Sequence, residues 1–487
     1  MRSVTMPLLA MALALALATI LLVTAAVLRD PEYDEGYTAF VTSAAARPNW
    51  PETVFRAGDA RAAFRPAPTP WAIDGNLRHT DVHPPLYFWT VWAWRRIWGP
   101  DLTATRMLSV GFSLGALACV AAIAAEAGLP ILPSLLLTLG CYGFVETGVV
   151  ARGFAMTQCL LLLGMLFTLR ARSFEGDGRR WSLAAGLALG AACFTNYLAA
   201  FPAVAAALWL GKHRPRCLGL LLLGLMPFVL ADLSFFLDQR TSRIGQFPPF
   251  SWGPMGAAMA HALGGAVLGG LPLYLPAGTP RLVAAGLLAL ILAALLLLPM
   301  LRWRSLGREE PRLLLGMAVL ATPTGLILMG VAAHTIPLEI RYFAFALPPL
   351  CLLLAASLAS LRPPWPRRVL AAILTVQAAS IAGLMTRQET MQPEGAYARM
   401  AFHAVGDTGL VLLPRGNDGV GIVAAFLTAA PDGLHVLLVG PGSSPARLRQ
   451  SMRAWPRTIA ADIAVDQDSI RTIPLLTDAL QDDRQMR

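Results

Sequence analysis

Residues 7–28, PLLAMALALALATILLVTAAVL, form a run of 22 residues without a single charge. In hydrocarbon every backbone N–H and C=O must find its partner inside the segment, so a run of this length is restricted to a membrane-spanning helix. It exceeds the 7 to 15 residues of a signal-peptide core. We read it as an uncleaved span with Arg2 inside; cleavage near Ala26 is the alternative, and either way the next segment lies outside. Ten more stretches read as spans: about 103–126, 129–150, 153–170, 182–196, 197–211, 217–236, 281–301, 313–333, 342–361 and 368–385, making eleven. Only 14% of residues are charged, against about 25% in an ordinary soluble domain. The expected architecture is an α-helical polytopic membrane protein.

Loop charges test the count, because short cytoplasmic loops carry the excess of Arg and Lys. Arg170, Arg172, Arg179 and Arg180 fall in one inside loop; Lys212, Arg214 and Arg216 in the next. Arg302, Arg304, Arg308 and Arg312 follow in a third, and Arg362, Arg367 and Arg368 in a fourth. The alternation requires that two apolar stretches do not cross. One is HPPLYFWTVWAWRRIWG, residues 83–99, whose four tryptophans and Arg pair suit an interfacial helix. The other is the Gly-rich run 254–275, read as re-entrant or surface-lying.

From residue 386 the pattern changes. TGLVLLP, HVLLVG and RTIAADIAV read as strands, and VGIVAAFLTAA, SPARLRQSMRAW and SIRTIPLLTDALQ as helices. The expected domains are therefore 1–385, a membrane domain with a first outer loop at about 29–102, and 386–487, a small α/β domain. An odd number of spans from an inside N-terminus puts that second domain outside the membrane. Its PRGNDG turn lacks the spacing of a phosphate loop.

Composition excludes several classes. Net charge is +10, but the basic residues lie beside apolar runs without the interleaved aromatics of a nucleic-acid surface. The six cysteines, Cys119, Cys141, Cys159, Cys193, Cys217 and Cys351, all fall in apolar runs with no CxxC, and imply neither disulfides nor a metal cluster.

The topology gathers polar residues at the outer face. They are Asp34, Glu35 and Tyr37; Asp81 and His83; Arg152; Asn196 and Tyr197; Arg240 and Arg243; and His334, Glu339, Arg341 and Tyr342. Arg can bind a phosphate bidentately, while a carboxylate can take a proton from a hydroxyl. Each residue also has a plainer reading. Asp34 and Glu35 suit a solvated loop, and His83-Pro84-Pro85 suits a helix start. Arg152 and Arg341 suit arginines snorkelling to the interface, and Asn196-Tyr197 suits a polar turn with an interfacial aromatic.

DEGYTAF after the first span, HPPLYFWTVWAWRRIWG about fifty residues on, ARGFAMTQCLLLLGMLFTLRAR, TNYLAAF and RYFAFALPPLCLLLA follow one another in that order. Together they resemble the landmarks of the protein mannosyltransferase and aminoarabinose transferase superfamily, membrane glycosyltransferases of the C-type fold, over residues 7–385. No single motif decides; their order, spacing and common sidedness carry the resemblance. It implies a sugar on a polyprenyl-phosphate donor, transfer with inversion to an acceptor hydroxyl, and a bacterial cytoplasmic membrane. It also implies that Asp34 is the base, supported by Glu35, while Arg152, Arg341, His83 and Tyr342 face the donor phosphate. Tyr37, Asn196, Tyr197 and Glu339 become weaker substrate-binding candidates. His83 would also be the residue to ligate a divalent metal, for which no ligand spacing argues.

The pattern departs from the aminoarabinose branch. That branch has Arg-Tyr shortly after the acidic pair and Lys before the next proline, where this chain has Tyr37-Thr38 and His83. The large lumenal inserts of the protein O-mannosylating branch are missing too. The chief rival class, a transporter or flippase for a lipid-linked sugar, would put charges within spans and build inverted repeats. An O-antigen polymerase or ligase would need a large late outer loop, and the loop near residue 338 is short.

Overall fold

Every stretch read as a span contains helix in the computed structural model, which describes residues 5–43, 50–173, 178–240, 247–276, 278–387, 393–416, 419–455, 457–463, 471–474 and 476. Among the described residues seven helices are long and apolar enough to cross a membrane: Met11–Leu28, Leu102–Ala127, Phe154–Ser173, Pro215–Gln239, Thr279–Leu301, Glu309–Ala333 and Trp365–Thr386. The expected span at 129–150 is a bent pair, Ile131–Gly140 and Tyr142–Val149 meeting at 69°, the geometry of a broken span or a re-entrant loop. The other three expected spans are the shorter helices Gly178–Cys193, Ala200–His213 and Leu347–Ala359. Proline punctuates them as its missing N–H predicts, standing in the first turn of the helices that begin at Pro215, Thr279 and Leu347.

Contacts divide the chain into two units. The first holds Met1–Val27, Val82–Tyr87 and Arg106–Thr386. Its core is the interior of the helix bundle, with Leu22, Phe144, Trp209 and Phe343 fully buried. The Gly-rich run forms the helix Trp252–Leu268, whose Ala262, Ala266 and Leu268 enter that core. It ends at Gly269 with φ +88°, where a Cβ would lie 2.3 Å from the Ser380 Cβ, so only glycine fits. Gln377 and Ser380 donate to the Val267 and Leu268 carbonyls at 3.1 and 2.6 Å, satisfying the buried helix end.

The second unit holds Leu28–Asp81, Phe88–Thr105 and Arg387–Arg487. The first outer loop, assigned from sequence to the membrane domain, thus packs with the C-terminal residues. Its sheet contains β1 (Phe55–Arg56), β2 (Leu410–Pro414), β3 (His435–Val439) and β4 (Thr458–Ala460), in the order β1-β3-β2-β4. β2 pairs in parallel with β3 and β4, and β1 adds antiparallel to β3. The unbroken apolar run of β2 is buried throughout, as a central parallel strand requires. Of the expected strand RTIAADIAV only Thr458–Ala460 is strand, and its last two residues lie outside the described set. The SIRTIPLLTDALQ helix falls largely outside it as well.

The helix Tyr33–Ser43 crosses the helix Gly421–Ala429 closely within this unit. A Cβ at Gly36 would come within 2.7 Å of the Ala424 Cβ, and one at Gly421 within 2.3 Å of the Tyr33 ring. The helix Leu86–Trp98 ties the same unit through its indoles: Trp89 donates to Asp74 at 2.8 Å, Trp92 to the Ala67 carbonyl at 2.8 Å and Trp94 to the Ala104 carbonyl at 2.7 Å.

Arg399 holds the nearly buried Asp30 carboxylate with both guanidinium nitrogens, at 2.5 and 2.7 Å. Nearby, burial pushes the Glu394 carboxyl up to about 7, with the charges of Glu32 and Asp30 adding to the shift. The folded chain therefore keeps a proton that the unfolded chain has released above about 4.5. Stability falls as pH rises between those values, and above 7 the loss is complete at about 3 kcal/mol. The expected result is a melting midpoint that drops from pH 5 to pH 8, with Glu394→Gln flattening the slope; an unchanged slope in the variant would refute this origin.

Candidate active site

In the helical unit the sequence candidates are brought together by backbone first. The Leu86 N–H donates to the Phe194 carbonyl at 3.2 Å, fixing the His83-Pro84-Pro85 segment against the turn at Thr195–Tyr197. Arg152 sits in the link between the helices Tyr142–Val149 and Phe154–Ser173, where its N–H closes a tight turn onto the Val150 carbonyl at 2.7 Å. Gly153 lets that link approach the same two segments: a Cβ there would lie 3.2 Å from Thr195 Cγ2 and 3.4 Å from the Tyr87 Cβ.

Side chains complete the junction. Arg152, 3% exposed, places Nη2 3.4 Å from His83 Nδ1. A guanidinium only donates, so Nδ1 is the acceptor here and the neutral ring carries its proton on Nε2. Gln239 Nε2 donates to the His83 carbonyl at 3.1 Å, and the Tyr197 hydroxyl donates to Gln239 Oε1 at 2.8 Å. His83, Arg152 and Tyr197 thus belong to one polar network joined through Gln239, a buried residue that sequence reasoning missed. Its only sequence signal is a polar residue at the end of the Pro215–Gln239 span.

Other candidates take plainer places. Asn196 accepts from the Leu198 N–H at 3.0 Å and caps the short turn Tyr197–Ala199. Arg341 pairs with Glu339 beside the turn Ile340–Phe343, and Tyr342 is half-buried against the bundle core. The Phe345 ring stacks 6.2 Å from the Phe154 ring, which brings the Arg341 turn beside the Arg152 link. His334 is an exposed left-handed cap at the end of the Glu309–Ala333 helix, and Arg240 caps the Pro215–Gln239 helix. Arg243 lies outside the described residues. Among the described residues no three His, Cys, Asp or Glu side chains converge to hold a metal ion.

In the second unit Asp34 and Glu35 occupy the first turn of the Tyr33–Ser43 helix, where acidic residues are favoured by the exposed N–H groups. Asp34 is 8% exposed and Glu35 2%. Glu35 Oε2 accepts the Glu32 N–H at 2.9 Å, half of a capping box. The Tyr37 hydroxyl lies 3.3 Å from that of Tyr33. Asp81 is buried at the end of the Trp71–Thr80 helix. Arg95 holds the far end of the Tyr33–Ser43 helix. It donates to the Ala39 carbonyl at 3.2 Å, to the Thr42 hydroxyl, to the Phe64 carbonyl and to the Pro100 carbonyl at 3.4 Å. Burial pushes this guanidinium down to about 10.

No family model and no curated protein matches the sequence. Solved structures do match. The apo structure of ArnT from Cupriavidus metallidurans aligns over 88% of this chain and 85% of its own, at 14% identity and TM-score 0.53. The same protein bound to undecaprenyl phosphate aligns over 89% and 86%, at 13% identity and TM-score 0.52. The mycobacterial arabinofuranosyltransferase AftD aligns over 91% of this chain and 33% of its own, at 14% identity and TM-score 0.42. At such identities the fold is what is shared: this chain is a multi-pass membrane protein with the C-type glycosyltransferase fold.

Proposed function

We propose that the chain transfers a sugar from a polyprenyl-phosphate donor to an acceptor hydroxyl at the outer face of a bacterial cytoplasmic membrane, with inversion at the anomeric carbon. The observation that carries the reading is the fold shared along nearly the whole chain with ArnT, a protein whose structure has been solved with undecaprenyl phosphate bound. The pairing of buried Arg152 with half-buried His83 supports it, because two donors held by backbone and by Gln239 suit a developing phosphate charge.

In this reading the acceptor oxygen attacks the anomeric carbon while its proton passes to the Asp34 carboxylate. The bond between that carbon and the phosphate oxygen breaks, and the leaving group departs as polyprenyl phosphate. Arg152 and the Nε2–H of His83 stabilise the charge on that group, and Glu35 orients the acceptor. Donors fixed in place act without reorganising as the charge forms.

The test is release of free polyprenyl phosphate by the purified full-length protein from a panel of radiolabelled polyprenyl-phosphate sugars, with a crude envelope extract as acceptor. Turnover of a defined donor is expected. Folded protein that consumes no donor would overturn the transferase reading in favour of a transporter.

A further inference from the structure

Within the second unit a cavity of about 460 Å³ opens beside the Tyr33–Ser43 helix. Its volume falls in the ordinary range of small-ligand sites, roughly 300 to 1,000 Å³. Glu35 and Thr38 line it from that helix, Asp101 and Thr105 from the segment after the Leu86–Trp98 helix, and Ala425 and Thr428 from the Gly421–Ala429 helix. Phe64 gives it an apolar wall, and Arg61 and Arg95 border it.

What the wall offers a ligand follows from where its hydrogens already go. The Thr105 hydroxyl donates to the Asp101 carbonyl at 2.9 Å, and the Thr428 hydroxyl to the Ala424 carbonyl at 2.7 Å. Arg61 donates to the Leu427 and Ala430 carbonyls at 2.9 and 2.6 Å and pairs with Asp432, while Arg95 donates to four oxygens of the unit. The Nη groups of both arginines are committed, whereas threonine oxygens keep lone pairs and carboxylates accept several bonds each, Asp101 Oδ2 already taking the Ala104 N–H at 2.9 Å. The cavity therefore presents mostly acceptors, those of Glu35, Asp101, Thr105 and Thr428. A ligand that satisfies them brings hydrogens. An anion fails against two carboxylates, and a cation fails beside the Arg95 charge, which has no carboxylate partner among the described residues.

We propose that this cavity is a binding site for a neutral, hydroxyl-rich ligand, a saccharide or similar polyol. On the transferase reading above it is the pocket for the acceptor. The C-terminal domain then has a direct part in substrate recognition, since Ala425 and Thr428 belong to it.

Ligand-observed NMR on the full-length protein in nanodiscs, with methyl hexosides, hexose 6-phosphates and glucosamine as probes, tests this directly. Methyl hexosides are expected to bind in preference to the other two. Thr428→Trp, which fills the cavity, should abolish that binding. Thr428→Val and Thr105→Val, which remove one acceptor oxygen each with little change of volume, should weaken it up to about tenfold; they carry the test if the tryptophan variant does not fold. Hexoside binding unchanged in these variants, or a preference for the phosphates, would overturn the proposal. Hexoside binding without donor turnover would sink the transferase reading and leave the pocket standing; donor turnover without hexoside binding would do the reverse.

Discussion

Asp34→Asn is expected to lower the rate of sugar transfer by about 100-fold to 10,000-fold, the usual loss when a correctly placed base is removed. The substitution keeps the size of the side chain and most of its hydrogen-bonding capacity, so the first turn of the Tyr33–Ser43 helix should persist. What it deletes is the ability to take a proton. Asp34 is nearly buried, at 8% exposed, so bulk water cannot readily stand in as the proton acceptor. Glu35 is a poor substitute, because one of its oxygens is already engaged by the Glu32 N–H. The check is the transfer rate of the variant at saturating donor, alongside its melting midpoint. A stable variant within threefold of the wild-type rate would remove Asp34 from the mechanism.

Arg152→Gln should cost about 100-fold to 1,000-fold in kcat, as losses of a preorganised donor do. Arg152→Lys should cost about tenfold to 100-fold, because an ammonium keeps the charge but cannot reproduce the planar fork. The order of the two variants discriminates between roles. A snorkelling arginine would be served as well by Lys and would leave kcat alone, whereas a phosphate ligand ranks Arg above Lys above Gln. Because Arg152 is only 3% exposed, its melting midpoint must be followed in parallel. Equal activity of wild type and Arg152→Gln would refute the assignment and leave Arg341, paired with Glu339, as the next candidate.

Hydropathy located the seven long apolar helices because lipid imposes one requirement on every backbone group. It could not show the 69° break after Gly140, since the apolar run continues through it. At the break the partners are distant in sequence: Gln377, from the last expected span, donates towards the Cys141 sulfur at 3.6 Å. The strand Phe55–Arg56 was invisible for a similar reason, as two residues carry no periodicity and acquire their pairing only from β3.

The candidate site divides along the same line. His83, Arg152 and Tyr197 stood out as polar residues at the ends of apolar runs, and the structure joins them. Gln239 did not, because a polar residue between Asp238 and Arg240 at a span end looks like ordinary solvation. Asn196 was visible for a different reason than function, its oxygen serving as a cap. Glu35 was visible too, but its sequence position could not separate the cap it makes from the cavity it lines.

The sheet of the second unit has a consequence for how the protein is made. β1 joins β3 across a separation of 379 positions, and nearly all the helical bundle is encoded between them. At about 5 to 20 residues per second, the ribosome needs roughly 20 to 80 s to supply the partner strand. During that interval the segment that carries β1 has left the ribosome without the strand that completes it, while one hydrophobic helix after another enters the bilayer. Assembly of this unit therefore follows synthesis of the helical bundle, and the segment that carries β1 must be kept from wrong pairings until β3 has been made.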